Sequence, residues 1–178
     1  LLAYVWSAAR RYPPVRHWAL GSILVAAGAM LAGLRDIAPR AVSILLAQAM
    51  VASGWMLIDA GIAVAADRRV PWRAGIGVCL LMLAALAWYT TFEPNYPMRT
   101  LAVTAPAMVF DLYALHACLT ARGGRRAATL RVLAAALGLL VASNAWKLVG
   151  TLVQGNTTLL EPNLALMQFL ILSLVFWA

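Results

Sequence analysis

Four ionisable side chains of this 178-residue chain lie inside long apolar stretches: Asp59, Asp111, His116 and Lys147. If those stretches cross a membrane, each charge is costly and each residue is a candidate for function. Asp59 and Asp111 could share a proton, or each could be a neutral, hydrogen-bonded carboxyl group that only ties two helices together. Asn144 lies three residues before Lys147, so the two would form one polar stripe on a helix.

The composition places these side chains in a membrane. The chain is 64% hydrophobic and 11% charged, and its mean hydropathy is +0.85. A soluble domain is about half apolar and a quarter charged, whereas apolar stretches of about twenty residues are typical of transmembrane helices. The sequence predicts an all-α integral membrane protein, a single domain over 1–178. We expect a bundle of about seven transmembrane helices, the first and last truncated, over roughly 1–9, 17–34, 41–66, 74–91, 99–120, 128–152 and 163–178.

Lys and Arg are unevenly distributed among the connections between these spans. The first, third and fifth connections hold ten of them, and the second, fourth and sixth hold three. Because cytoplasmic loops carry the excess of basic residues, the odd-numbered connections are predicted to be cytoplasmic, as is the end of the seventh span. The net charge of +8 then reports orientation in the lipid bilayer and does not indicate a nucleic-acid partner.

The loop "TFEPNYPMRT" (91–100) lies between the fourth and fifth spans, on the predicted outer side. Its prolines would end one helix and begin the next, with Asn95 or Tyr96 near the N-cap. Arg99 would then lie in the first helical turn, where the helix dipole disfavours a cation. Either Glu93 or an anionic ligand would offset that cost.

We therefore predict an outer polar pocket for an anionic or carbonyl-bearing ligand, held by charge-assisted hydrogen bonds. Its candidate residues are Glu93, Tyr96, Arg99, Asn144 and Lys147. The alternative is a well-capped turn in which Glu93 pairs with Arg99 at the surface and Lys147 only reaches toward water.

Position along the helices limits which charged groups can meet. Asp111 is about 12 residues, or ~18 Å, from the outer end of its predicted helix, and Lys147 is about five residues, or ~8 Å, from its own. A direct pair would have to bridge ~10 Å of depth. We therefore expect Lys147 to extend outward, toward Glu93 or Glu161.

The sequence gives only weak indications of metal or haem binding and of catalysis. His17 and His116 both fall toward the inner side and could bind haem or a metal, but no carboxylate or cysteine has the spacing of a further ligand. Cys79 and Cys118 lie in apolar runs and are interpreted as small buried side chains. The sequence has no GxGxxG, phosphate-binding loop or HExxH motif, and we predict no catalytic residue, metal or cofactor.

Two segments carry a family resemblance: "YPPVRHWALGSILVAAGAMLAGLRD" and "WYTTFEPNYPMRTLAVTAPAMVFDLYAL". With the spans around them they resemble the N-terminal membrane region of bacterial GGDEF-domain diguanylate cyclases. That family has an outer turn of the pattern f-x-P-x-x-x-x-R, matched here by Phe92, Pro94 and Arg99, and an entry into the second span similar to "RHWALG" (16–21). No GGDEF signature is present in this chain, so the resemblance implies a catalytic domain after residue 178.

The resulting hypothesis is a signal-sensing input module in the bacterial inner membrane. An unknown small molecule or membrane signal would control a cytoplasmic output domain, a diguanylate cyclase that makes cyclic di-GMP, in what the resemblance implies is a homodimer. Two alternatives stay open. One is a non-enzymatic subunit or scaffold of a membrane complex, and the other is a small-solute transporter, which would need a pair of Gly/Pro-interrupted spans.

Overall fold

The computed structural model describes residues 12–33, 40–121 and 124–154. These residues form five helices and no strand, which confirms the all-α prediction for this part of the chain. We name the helices α1 (Pro13–Gly33), α2 (Arg40–Ala65), α3 (Trp72–Thr91), α4 (Tyr96–Leu119) and α5 (Gly124–Gln154).

All five helices are long and apolar enough to cross a membrane. They coincide within a few residues with the five complete spans that the sequence predicts. The predicted first and seventh spans, 1–9 and 163–178, lie outside the described residues. The largest boundary differences are at the starts of α1 and α5, which begin at Pro13 and Gly124 rather than at 17 and 128. Proline fits the first turn of a helix, which explains the earlier start of α1.

The helices belong to two compact units, 1–94 and 95–178. In the first unit α2 packs against both α1 and α3, and in the second α4 packs against α5. Sequence neighbours are therefore partners, as short connections between helices favour.

The contact between α1 and α2 is built from small residues. The buried residues of α1 are Pro14, Gly21 and Gly28, each seven positions after the last. A Cβ atom added to Gly21 would lie 2.6 Å from the carbonyl oxygen of Gly54, and one added to Gly54 would lie 2.6 Å from the carbonyl oxygen of Gly21. The two backbones therefore touch directly, which is how helices associate in a membrane without a hydrophobic driving force.

The same register continues along the whole contact, which we call the glycine seam. A Cβ at Gly28 would lie 2.8 Å from the carbonyl oxygen of Ala47, and one at Gly61 would lie 3.0 Å from that of Pro14. Small residues thus recur every seven positions on both antiparallel helices. A seven-residue repeat keeps a seam in contact when the helices wind around each other with a left-handed twist.

α2 ends in a left-handed turn at Asp67, whose φ is 55°. The N–H of Arg68 donates to the carbonyl oxygen of Ala63 at 2.8 Å, and the N–H of Asp67 donates to that of Val64 at 3.1 Å. These two bonds are the Schellman pattern of a helix C-terminus. The turn leaves Arg68 and Arg69 exposed in the connection that the sequence predicts to be cytoplasmic.

α4 begins at a side-chain cap. The Asn95 side-chain oxygen accepts from the N–H of Met98 at 3.1 Å, and Tyr96 and Pro97 follow as the first helical residues. This confirms the predicted helix start and the role of Pro97 in the first turn.

Candidate functional site

The second unit has a buried polar contact between its two helices. The Asn144 side-chain amide on α5 donates to a carboxyl oxygen of Asp111 on α4 at 2.7 Å. Asp111 is 3% exposed and Asn144 is 5% exposed. The structure thus places the intramembrane Asp111 and the predicted ligand-binding Asn144 together, with a good hydrogen-bond distance in an apolar setting.

Further polar side chains continue along the same half of this helix pair. Thr104 lies seven residues before Asp111 on α4, and Thr151 lies seven residues after Asn144 on α5; both are buried. Because α4 and α5 are antiparallel neighbours, the register set by the Asp111–Asn144 bond brings the two threonines to a similar level. Ser143 is also buried, beside Asn144 in sequence.

The other half of the same helix pair is apolar. There α4 buries Ala114, Ala117 and Cys118. The buried side chains of α5 on that side are Ala127, Leu130, Leu133, Ala134, Leu137 and Leu140. The core of the unit therefore changes from apolar to polar along its length. We call the half formed by Thr104, Asp111, Ser143, Asn144, Lys147 and Thr151 the polar half-core.

Lys147 is close to Asp111 along the helix axis. It lies one turn beyond Asn144, so its depth differs from that of Asp111 by only ~4.5 Å. The predicted difference of ~10 Å is therefore wrong. Its basis was the assumption that the outer ends of the two helices are level, whereas the Asp111–Asn144 bond sets their register. The Lys147 backbone carbonyl accepts from the Thr151 hydroxyl at 2.8 Å.

A proline interrupts the hydrogen bonds of α4 next to this site. Pro106 lies between Thr104 and Asp111. It has no N–H to donate, so the carbonyl of Ala102 lacks its usual partner four residues later. Membrane helices tolerate such a proline where side chains or water can satisfy the freed carbonyl, and the polar half-core offers such groups.

The first turn of α4 carries Arg99, as predicted. Its guanidinium carbon is 5.7 Å from the ring centroid of Tyr96, a cation–π distance. The Arg99 Nε atom is buried and has no hydrogen-bond partner among the described residues. Tyr96 therefore offsets part of the cost of a cation in the first helical turn.

The other residues predicted from the sequence do not belong to the polar half-core. Glu93 is exposed and belongs to the first unit, so its pairing with Arg99 stays a prediction. Asp59 is buried on α2 in the first unit, and its proposed coupling to Asp111 likewise stays untested. His116 is exposed on α4, and among the described residues no three His, Cys, Asp or Glu side chains form a metal-binding group.

Sequence reasoning missed Thr104, Ser143 and Thr151. The spacing held a usable signal, because Ser143, Lys147 and Thr151 follow each other at four-residue intervals and so share one face of α5. Serine and threonine are common residues with a single hydroxyl group, so their spacing alone is a weak signal. This spacing indicates a polar site only when the buried face of the helix is known.

Comparison with known proteins adds no relative. A scan against protein-family models, a search of curated proteins and a search of solved structures find no match to this chain.

Proposed function

We propose that this chain is a membrane-embedded input module. It would sense a small molecule and control a cytoplasmic output domain located after residue 178. The observation that carries the proposal is the polar half-core, in which five buried polar side chains and the half-buried Lys147 lie within two helices that are apolar enough to cross a membrane. The resemblance to diguanylate cyclases in the sequence supplies the identity of the output domain and the expectation of a homodimer.

The physical argument rests on the cost of burying polar groups. A buried polar group without a hydrogen-bond partner costs roughly a few kcal/mol. Two membrane helices can associate without burying any polar side chain. The glycine seam consists of backbone contacts, and the apolar half of the α4–α5 pair is built mainly from alanine and leucine. The helix α2 also buries Ser43 and Asp59, but five of the seven buried polar side chains in the described part of the chain are concentrated in one half of the α4–α5 pair, and binding explains that concentration better than packing does.

The outer loop would contribute the entrance to this site. Tyr96 and Arg99 are in the first turn of α4, and Asn144 and Lys147 lie deeper on α5. In this proposal an anionic or carbonyl-bearing ligand meets Arg99 first and then the polar half-core. Such a ligand controls the output only by binding two states of the module with different affinity.

The proposed orientation predicts the sidedness of cysteine labelling. With Cys79 and Cys118 replaced by alanine, a cysteine at Arg68 or Gly123 should react only from the cytoplasmic side, and one at Asn156 only from outside. The measurement is labelling of whole cells by a membrane-impermeant maleimide, before and after lysis. Labelling of the opposite sidedness would leave no route to a cytoplasmic output and would end the proposal.

The proposed activity is tested on the full-length protein, including the region after residue 178. We expect it to make cyclic di-GMP in membranes, and we expect Arg99→Ala and Lys147→Met each to abolish its response to the signal while the protein still inserts and dimerises. Arg131→Met is the matched control, since it removes an exposed basic side chain of α5 far from the polar half-core. Cyclic di-GMP is measured in membranes from the parent and each variant.

Two results would contradict the proposal. Absence of any cyclase activity in the full-length protein would favour a non-enzymatic subunit of a membrane complex. A response that both Arg99→Ala and Lys147→Met retain in full would mean that the loop is a capped turn and that the signal enters elsewhere.

A further inference from the structure

The polar half-core contains both satisfied and unsatisfied groups. Asp111 accepts from Asn144, and the Thr151 hydroxyl donates to the backbone of Lys147. The Ser143 hydroxyl oxygen is buried without a hydrogen-bond partner among the described residues. Within the same part of the chain, the Lys147 ammonium group forms no hydrogen bond or ion pair. The unsatisfied groups are thus a cation and a hydroxyl, both of which can donate to an anion.

Ser143 and Lys147 are placed to act together. They are four residues apart on α5, so their side chains lie on the same face one turn from each other. Ser143 is 9% exposed, which means that water does not readily satisfy its hydroxyl group. A single oxyanion could accept from both side chains.

Lys147 is also the only lysine in the sequence. The other 13 basic residues are all arginine, and the only one of them inside a described helix away from its ends is Arg131, which is exposed. A lysine carries a compact positive charge that can bind one oxyanion group, whereas arginine favours bidentate pairs. A lysine at position 147 therefore fits a site that binds one singly charged group.

We propose that Ser143 and Lys147 bind the carboxylate of a small monocarboxylate with an apolar chain. This inference rests on the proposed function and names its ligand class. One negative charge neutralises Lys147, whereas a doubly charged phosphate would leave an unpaired charge in an apolar setting. The apolar chain follows from the surroundings, since the adjoining buried face of α5 continues into Leu140 and the helix is apolar enough to cross a membrane.

Charge balance sets the specificity of this site. Lys147 is the only cation of the polar half-core, so a second anionic group on the ligand would have no cation to pair with. Asp111, which lies within about one helical turn of Lys147 and is held by Asn144, offers no positive charge either, and the site is therefore restricted to monocarboxylates. The other charged groups of the helix pair are Arg99, His116, Arg125, Arg126 and Arg131. Arg99 lies about three turns from Asp111, Arg125 and Arg126 lie more than about four turns before Ser143, and His116 and Arg131 are exposed.

The test is direct binding of decanoate to the full-length protein in phosphatidylcholine nanodiscs. We expect Lys147→Met to weaken decanoate binding by more than tenfold and Ser143→Ala to weaken it by about tenfold, since a hydrogen bond to a charged group is lost. Arg131→Met is the matched control and should bind like the parent. Decanol, which has the same chain and no charge, should not compete. Binding is measured by titration calorimetry and by the 13C signal of carboxyl-labelled decanoate.

Three outcomes would overturn the inference. Decanol could compete as well as decanoate, Lys147→Met could bind like the parent, or Glu161→Gln could bind decanoate at least tenfold more tightly. The last result would mean that Glu161 already neutralises Lys147. Lys147→Arg keeps the positive charge and is the folding control. If Lys147→Met loses decanoate binding and Lys147→Arg keeps it, the loss is due to the missing charge at the site.

The binding result is independent of the proposed output. If decanoate binds through Lys147 and Ser143 but never alters cyclic di-GMP synthesis, the site stands and the proposed function fails. If the cyclase responds to another molecule and decanoate does not bind, the function stands and the ligand class is wrong.

Discussion

Replacing Gly54 with alanine is expected to destabilise the first unit by about 1–3 kcal/mol, because the added methyl group has no room. Its carbon would lie 2.6 Å from the carbonyl oxygen of Gly21 and 2.9 Å from the backbone nitrogen of Val25. Both are backbone atoms of α1, which cannot rotate away as a side chain can. The helices must therefore separate, and Gly54→Leu should separate them completely.

Gly77→Ala provides the control for this prediction. Gly77 lies on α3 in the same unit, and nothing lies within 4 Å of a Cβ atom built there. Alanine at that position should stabilise the helix by about 0.5–1 kcal/mol, since a glycine inside a helix is unfavourable. The free energy of unfolding of both variants is measured in mixed detergent micelles. Equal stability of Gly54→Ala and Gly77→Ala would show that the α1–α2 contact is looser than these distances indicate.

The effect on function would follow from the same geometry. The glycine seam belongs to the first unit, so its loss removes packing between α1 and α2 and changes no residue of the polar half-core. A Gly54→Leu variant that still binds decanoate would show that the second unit holds the ligand site by itself.

The sequence alone predicts the helices well and their pairing poorly. Five apolar runs and their charged breaks are enough to locate α1 to α5 within a few residues, because a membrane span has a fixed length and composition. The cap at Asn95 and the turn at Pro97 are also predictable, since each is a local interaction with a known residue preference.

The glycine seam was not predictable in the same way. Pro14, Gly21 and Gly28 are seven residues apart, but the chain has many small residues and such spacings arise by chance. Only the opposite helix, with Ala47, Gly54 and Gly61 at the matching positions, turns the spacing into a contact. A register between two helices is non-local information that one helix does not contain.

The same limit explains the error in the depth of Lys147. Counting residues from the predicted outer ends assumes that helix ends are level with each other. The Asp111–Asn144 bond fixes the register instead and brings Lys147 within one turn of Asp111. The individual residues Asp111, Asn144 and Lys147 were identified from their types, but their arrangement depended on this single contact.

Replacing Asn144 with leucine should destabilise the second unit by about 1–3 kcal/mol, because the buried Asp111 carboxyl group loses its hydrogen-bond donor. Asp111→Leu should also be destabilising, since it leaves the Asn144 amide without this acceptor. The double variant should be more stable than the sum of the two effects predicts, by about 1 kcal/mol, because neither polar group then remains unpaired. The unfolding free energies of the four proteins form a double-mutant cycle. Asn144→Leu combined with Gly77→Ala is the control pair and should be additive within about 0.5 kcal/mol.

The double variant also separates the two interpretations of Asp111. If Asp111 and Asn144 only tie α4 to α5, the repaired apolar contact should restore both stability and the response of the output domain. If they also line the ligand site, stability returns while full decanoate binding does not, because leucine at both positions removes the polar groups beside Lys147. In that case the double variant should bind decanoate about tenfold more weakly than the parent, the effect of losing one hydrogen bond to a charged group. A double variant that binds decanoate like the parent would leave Asp111 with a structural role alone.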